Sequence, residues 1–443
     1  MAYIDNIVFA LLLAAGVLFF VRNVKKLVRN IKLGNPVDRT DRPSDRWKQM
    51  FLVAMGQSKM VRRPVAGILH VIVYLGFIII NIEVIEIVID GLFGTHRVLS
   101  FLGGFYDFLI ASFEILALLV LVSVLVFWVR RMLVRIPRFW SKEMKGFPKN
   151  DALYILYFEM VLMSLFLLMN AADVNLQQAV GVANNHYLRV GSFPVSQFIA
   201  PLLQDLSYQS LFLIERTAWW LHITGILVFL NYLYYSKHLH ILLAFPNTYY
   251  ANLDPKGKFN NLSSVTDEVK MMLDPNADPY AAPAADSEAA PDKFGASEVT
   301  DLSWVQLMNA YTCTECGRCT ASCPANLTGK ALSPRAIMMK TRDRMEEVGK
   351  IIDKEGAFKE DGKQLLGDYI TAEELWACTS CNACVEECPV NIDPLSIILD
   401  MRRYLVMEES AAPMELNSVM TNIENNAAPW QYSQQDRLNW KDE

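Results

Sequence analysis

The chain has 443 residues, 53% of them hydrophobic and only 20% charged, with a formal net charge of −6. A soluble globular chain is about 45–50% apolar and about 25% charged. Disordered, collagen-like and disulfide-scaffold classes are therefore excluded, and the acidic balance gives no support to nucleic-acid binding.

The average hides a segregation. All eight Cys fall between Cys313 and Cys388, whereas the six His (His70, His96, His186, His222, His238 and His240) all lie in the first 240 residues. The two metal-binding residue types are separated along the chain, which argues for two halves with different chemistry.

Long apolar runs predict five spans, at roughly 4–21, 66–90, 104–129, 152–172 and 210–236. Each reaches the ~17–25 residues needed to cross a bilayer core. The first does not read as a signal peptide, because its basic residues follow the apolar run. Segment 22–64 holds twelve Lys or Arg and 130–150 holds seven, while 91–103 holds only Arg97 and 173–209 only Arg189. The positive-inside rule then places the N-terminus outside and everything after about residue 237 in the cytoplasm, where thiols stay reduced and available to metal.

Ionisable groups inside spans are costly and are functional candidates by default. His70 lies early in the second span, near the cytoplasmic side, and His222 early in the fifth, near the outer side. His222 and His240 are eighteen residues apart, five helical turns, so a continuous helix would put them on one face about 27 Å apart. His70 and His240 are then expected at similar depth near the cytoplasm, as the axial pair of a b-type haem. The bland reading of His240 is an interfacial residue beside Lys237. His238 is expected on the opposite face and interfacial, and His96 and His186 solvated in outer loops. Asn81, Glu83, Glu86 and Asp90 lie toward the outer end of the second span. They read either as interfacial carboxylates or, at Glu83 and Glu86, as a quinone pocket with proton exchange to the outside. In that second reading His222 is a quinone hydrogen-bond partner or proton shuttle.

The segment from Asp274 to Glu298 has eight Ala, four Pro and six acidic residues among 25, a composition expected to form an extended tether. Beyond it, Trp304–Tyr311, Ser333–Val348 and Thr371–Ala377 predict helices, the last two with helix-start signals at Ser333-Pro334 and Thr371-Ala372-Glu373-Glu374. The polar tail after Met407 is expected to wrap the domain or a partner.

Cys313-Thr-Glu-Cys316-Gly-Arg-Cys319-Thr-Ala-Ser-Cys323-Pro324 is a C-x2-C-x2-C-x3-C-P run, and Cys378-Thr-Ser-Cys381-Asn-Ala-Cys384-Val-Glu-Glu-Cys388-Pro389 is a second. In such paired runs the fourth Cys ligates the other cluster. The expected ligand sets are Cys313, Cys316, Cys319 and Cys388 for one 4Fe–4S cluster, and Cys378, Cys381, Cys384 and Cys323 for the other. Two structural zinc sites are the alternative, but zinc does not require the third Cys and the Cys-Pro that recur here.

These features carry a resemblance. Leu69-His70, Trp220-Leu221-His222 and Ser236-Lys237-His238-Leu239-His240 resemble the five-helix cytochrome b subunit of respiratory nitrate reductase, and still more the membrane subunit of heterodisulfide reductase. The soluble half, through Cys313–Cys319 and Met401-Arg402-Arg403-Tyr404-Leu405-Val406-Met407, is similar to the C-type dicluster component of heterodisulfide reductase and to membrane-bound iron–sulfur oxidoreductases that fuse both parts. Where the nitrate reductase pattern has a second His in span two, this chain has Ile80, so His222 lacks its usual haem partner. Many fused relatives continue into CCG domains. Here a separate, heterodisulfide reductase B-type protein is expected to supply that chemistry.

The expected fold is all-α. A cytochrome b-like five-helix bundle occupies 1–250 and a linker 251–300. A cytoplasmic dicluster ferredoxin-like domain occupies 301–408 and a tail 409–443. The expected function is an oxidoreductase subunit in a bacterial or archaeal cell membrane. It passes electrons between a quinone pool, via one or two b haems, and a cytoplasmic redox partner, via two 4Fe–4S clusters. The competing expectation is a haem-free anchor that tethers a dicluster module.

Overall fold

The computed structural model describes residues 3–179, 187, 189–276, 293–431 and 433–442. His186 and residues 277–292, most of the expected tether, lie outside the described residues.

The described residues form an all-helical protein. α1 (Ile4–Ile31) outruns its apolar core because the following Arg and Lys are good helix formers. α2 (Pro43–Met50) lies on the basic connection and is held by Arg46, which is fully buried and donates to the carbonyls of Asp41, Tyr249 and Ala251. α3 (Pro64–Phe93), α4 (Gly104–Met132), α5 (Phe147–Ala179) and α6 (Tyr208–Tyr232) complete the set. Among the described residues, five helices are long and apolar enough to cross a membrane. Their outward side chains, such as Leu11, Leu18, Ile85, Phe108 and Leu213, are exposed apolar groups. That surface suits lipid and would be an aggregation hazard in water. Inside, Phe9, Ile110, Phe113, Phe166 and Ile223 form the bundle core. α5 and α6 approach closely at Gly225, where an added Cβ would meet Leu162 at 2.8 Å.

One expectation fails here. His222 and His240 do not share a helix. After α6 the chain makes a 3-10 turn at Leu233–Tyr235, becomes extended at Ser236 (φ −108°, ψ 148°), turns again and enters α7 (His240–Tyr249). The Ser236 side chain accepts from the His238 amide at 3.0 Å, and Asp151 accepts from the Lys237 amide at 3.0 Å. Side chains thus take the amides that a continuous helix would have used. The continuous helix from which the common face and the 27 Å separation were expected is therefore absent.

α8 (Ser263–Leu273) precedes the iron–sulfur region. There α9 (Trp304–Thr312) starts with a Ser303/Gln306 capping box, and α10 (Arg318–Ala321) and α11 (Pro324–Leu327) follow the first Cys loop. α12 (Pro334–Glu355) is capped by Ser333 and α13 (Ala372–Trp376) by a Thr371/Glu374 box. α14 (Ala383–Glu387) and α15 (Pro394–Met407) complete the domain. Its core of Leu307, Ile337, Met345, Leu375, Ile397 and Met401 is continuous with Leu27, Leu239 and Leu243 from the end of the bundle. α16 (Met414–Asn426) buries none of its residues, so this part of the tail does not wrap the domain as expected.

The domain is seated on the bundle by polar staples as well. Asn30 donates to the Tyr311 hydroxyl at 2.8 Å, Lys26 and Arg29 pair with Asp353, and Lys237 pairs with the buried Glu315. An isolated bridge joins Asn35 to Ser303.

Candidate iron–sulfur and membrane sites

The two Cys loops share a backbone device. In the first, Glu315 and Gly317 have positive φ (53° and 72°); at the matching positions of the second, Ser380 and Asn382 do too (54° and 59°). Left-handed residues spaced this way curl the chain so that successive amides point inward, an arrangement suited to an anionic group. Each loop then enters a short helix, α10 or α14, and these two helices pack together. One cleft is lined by Cys313, Cys316, Cys319 and Cys388, together with Cys384. Cys323 lies within electrostatic range of Cys378 and Cys384. Cys388 is thereby brought to Cys313, Cys316 and Cys319, and Cys323 to Cys378 and Cys384. Cys313, Cys323, Cys384 and Cys388 are buried, and Cys381 is exposed.

Burial pushes the Cys313 thiol up to about 12 and the Cys388 thiol up to about 11. Burial and then neighbouring thiols push Cys319 the same way. Burial disfavours the thiolate form of these groups, and a cationic centre in the site would favour it, which couples loading of the site to folding. The amides of Ser380 and Ile392 donate to Cys378 and Cys388 sulfurs at 3.4 and 3.3 Å, the kind of contact that tunes a cluster. Burial works against the Glu315 charge, but Arg342 and Lys237 outweigh it and hold its carboxyl low. Among the described residues, no three His, Cys, Asp or Glu lie close enough to share one metal ion.

At the membrane side of these loops, His70 and His240 meet with ring centroids 6.4 Å apart. The His240 Nδ1 bonds to the Lys237 carbonyl at 3.1 Å, and the His70 Nδ1 is buried without a partner. His238 stands 5.3 Å from the His240 ring and 5.4 Å from Phe229. It is half-buried beside the pair, because the break at Ser236 removes the continuous helix that was expected to carry it on the opposite face.

The half of the bundle away from the iron–sulfur domain holds a cavity of about 240 Å³. Glu83, Glu86, Asp90, Arg97, Arg216, Phe9, Trp219 and Trp220 line it. Glu83 is 3% exposed and its Oε2 has no partner. His222 is not among the lining residues. It lies one turn inward from Trp219, its Nδ1 bonded to the Leu162 carbonyl at 3.0 Å. Asn81 bonds back to the Phe77 carbonyl of its own helix and does not line the cavity.

Sequence reasoning missed the network beside this cavity. Arg97 Nε donates to Asp173 at 2.7 Å and Arg97 Nη2 to Asn170 at 2.9 Å. Asn170 reaches Glu114 at 3.1 Å, and the Tyr106 hydroxyl donates to Glu86 at 2.9 Å. His96, expected to be solvated, lies 3.6 Å from Asp173 and is nearly buried. The reason is that Asp90 accepts from the Arg97 and Val98 amides and folds the 94–103 loop back into the bundle. The available signal was a Glu and an Asn inside apolar runs at 114 and 170, and an Asp at 173, just past the end of one. Counting apolar length passed over them.

Comparison with known proteins agrees with this anatomy. Residues 312–392 match the 4Fe-4S dicluster domain family. The chain is 31% identical to a probable iron-sulfur-binding oxidoreductase, FadF of Bacillus subtilis, over 99% of this chain and 61% of that protein. It is 25% identical to the EtfAB:quinone oxidoreductase of Syntrophomonas wolfei, over 95% of this chain and 57% of that protein. This chain is a membrane-associated relative of iron–sulfur oxidoreductases. A probable membrane-anchored ferredoxin of Chromohalobacter salexigens is 34% identical over 35% of this chain and 25% of its own length. The C-type component of a Methanosarcina acetivorans heterodisulfide reductase is 32% identical over 26% of this chain and 58% of its own. The chain thus spans about 60% of the two relatives that match it end to end. No solved structure matches it.

Proposed function

We propose that this chain is an electron-transfer subunit that links a membrane quinone to a cytoplasmic redox partner. The observation that carries the reading is the seating of the Cys313–Cys323 loop on the bundle end where His70 and His240 meet. The basic segments 22–64 and 130–150 sit at that same end, which supports an outside N-terminus and a cytoplasmic iron–sulfur domain. In this reading Cys313, Cys316, Cys319 and Cys388 hold one 4Fe–4S cluster, and Cys378, Cys381, Cys384 and Cys323 hold the other.

The His pair fits a b-type haem. His70 and His240, brought together at this end of the bundle, are the side chains that would hold its iron. The Lys237 carbonyl at His240 Nδ1 fixes the tautomer and leaves Nε2 for the metal. Bound there, a haem would supply one-electron chemistry, as the clusters do. The chain's part is to hold both groups in register and exclude water.

The outer cavity suits a quinone head group. Its aromatic walls, Phe9, Trp219 and Trp220, take a flat apolar ring, and the unpartnered Glu83 carboxyl offers a hydrogen bond. Glu86 and Asp90 follow Glu83 toward the outer surface and form a carboxylate ladder for proton exchange with the outside. A cytoplasmic partner is supported by the likeness to heterodisulfide reductase subunits, and a CCG-type protein, implied by the resemblance in the sequence, is the proposed acceptor or donor. The Syntrophomonas relative, named for EtfAB and a quinone, supports the same pairing of a soluble partner with a membrane quinone.

A second reading, a haem-free anchor for a dicluster ferredoxin module, draws support from the membrane-anchored ferredoxin of Chromohalobacter. Iron, sulfide and haem content with a reduced-minus-oxidised spectrum separates the two. A sharp α-band with a Soret shift, lost in His70→Ala and in His240→Ala, is expected. A broad band near 400 nm alone, unchanged by these variants, leaves the anchor. The quinone site is tested with Glu83→Gln and His222→Ala: quinol-driven reduction unaffected in both would remove it.

A further inference from the structure

The two Cys sets are not equivalent in their surroundings. The set of Cys313, Cys316, Cys319 and Cys388 is enclosed by the membrane half. Lys59, just before α3, donates to the Cys388 carbonyl at 3.2 Å and to the Val385 carbonyl at 3.5 Å. Arg318, between Cys316 and Cys319, is 4% exposed and reaches back to the Lys59 carbonyl at 3.3 Å and to the Met60 sulfur at 2.8 Å. Arg335 spans from the Arg138 carbonyl at 2.7 Å to the Glu315 carbonyl at 3.4 Å, and Lys237, three residues before His240, pairs with Glu315. Arg318 lies within electrostatic range of Cys316 and Cys388 on one side and of His70 on the other. The other set faces differently. Cys381 is exposed, and the cation on that loop, Arg402, comes from α15 of the same domain, donating to the Leu375 carbonyl at 2.6 Å and to Ser380 at 3.3 Å.

The geometry points to a fixed order. The cluster of Cys313, Cys316, Cys319 and Cys388 is the membrane-facing one, with Arg318 as the positioning cation between it and the His70 side. The cluster of Cys378, Cys381, Cys384 and Cys323 is the one through which a soluble partner exchanges electrons. This rests on the two-cluster reading but not on the haem. One electron passes at a time between the clusters, so one is oxidised as the other is reduced, and no bond or proton need move. A buried guanidinium favours the more reduced, more negative state of the cluster beside it. Arg318 is therefore expected to raise the potential of the membrane-facing cluster selectively.

The full-length protein in detergent, reduced with dithionite, tests the order by electron paramagnetic resonance. A water-soluble dysprosium chelate should speed the relaxation of one cluster signal severalfold and leave the other nearly unchanged. Cys381→Ser should alter the chelate-sensitive signal. Arg318→Gln should lower the midpoint potential of the insensitive signal, and Arg318→Lys should largely keep it. Equal sensitivity of both signals to the chelate, or an Arg318→Gln shift confined to the chelate-sensitive cluster, overturns the order while leaving two clusters in place. Wild-type protein without cluster signals would overturn the two-cluster reading itself, and this order with it. The chelate experiment needs no variant, so a misfolded Arg318→Gln protein does not protect the proposal.

Discussion

Arg97 and Asp173 form a buried ion pair at 2.7 Å, one from the loop after α3 and the other from the C-terminal part of α5. It joins the loop after α3 to the bundle interior. Removing one partner of such a pair leaves an unpaired buried charge, at a cost of about 3–5 kcal/mol. Asp173→Leu and Arg97→Met should each lower the thermal midpoint in detergent markedly, and the double variant should regain much of the loss. Additive losses in the double-mutant cycle would show that the two side chains act independently.

Cross-pairing of the Cys motifs makes a sharp prediction for iron content. Each 4Fe–4S cluster needs four thiolates. Cys388→Ser should disturb the signal of the cluster on Cys313, Cys316 and Cys319, and Cys323→Ser that of the other. Complete loss in either variant would take iron from about eight per chain to about four. If Cys388→Ser instead altered the signal that Cys381→Ser alters, each motif would be holding its own cluster.

Gly317 has φ +72° and lies against the Arg335 guanidinium. A methyl group there meets both an unfavourable backbone region and a buried side chain. Gly317→Ala should destabilise the domain by about 1 kcal/mol or more and weaken retention of the adjacent cluster. Chemical denaturation, followed by iron release, measures both.

The Lys237–Glu315 pair staples the iron–sulfur domain to the bundle. Glu315 keeps Arg342 at 2.8 Å when Lys237 is lost, so the penalty of Lys237→Met should be moderate, about 1–3 kcal/mol. Once the chain is cut between α8 and α9, the soluble domain should dissociate from the bundle more readily in this variant than in wild type. Glu315→Gln combined with Lys237→Met should restore part of the attachment. Identical release from wild type and Lys237→Met would assign the seating to the apolar contacts around Leu27 and Leu243.

Removing the clusters should loosen the whole domain. Burial holds the Cys313 and Cys388 thiols protonated when no cationic centre is near, so cluster and fold support each other. Oxidative cluster loss in the presence of a chelator should increase protease sensitivity across 304–407. The five long helices, whose backbone hydrogen bonds are internal, should keep their helicity.

The sequence by itself determined the parts of this protein that depend on local periodicity and spacing. A run of apolar residues long enough to cross a bilayer satisfies its own backbone whatever its neighbours, so α1, α3, α4, α5 and α6 were legible one by one. The two Cys runs were legible for the same reason, since their ligand spacing is a short-range property. The capping residues Ser333 and Thr371 likewise announce α12 and α13.

Only the tertiary structure decided what depends on long-range side-chain contacts. Periodicity extended α6 through His240, because it does not see Asp151 and Ser236 taking the amides of Lys237 and His238. It placed His96 in solvent, because it does not see Asp90 folding the loop inward. Arg97, Asp173, Asn170 and Glu114 look isolated in sequence and costly in a membrane. Their mutual satisfaction, which makes them tolerable there, exists only once the loop after α3, α4 and α5 are packed together. The same holds for Arg318: its position in a Cys motif is local, but its contact with Met60, and so the direction in which that loop faces, comes from the docking of one half of the chain on the other.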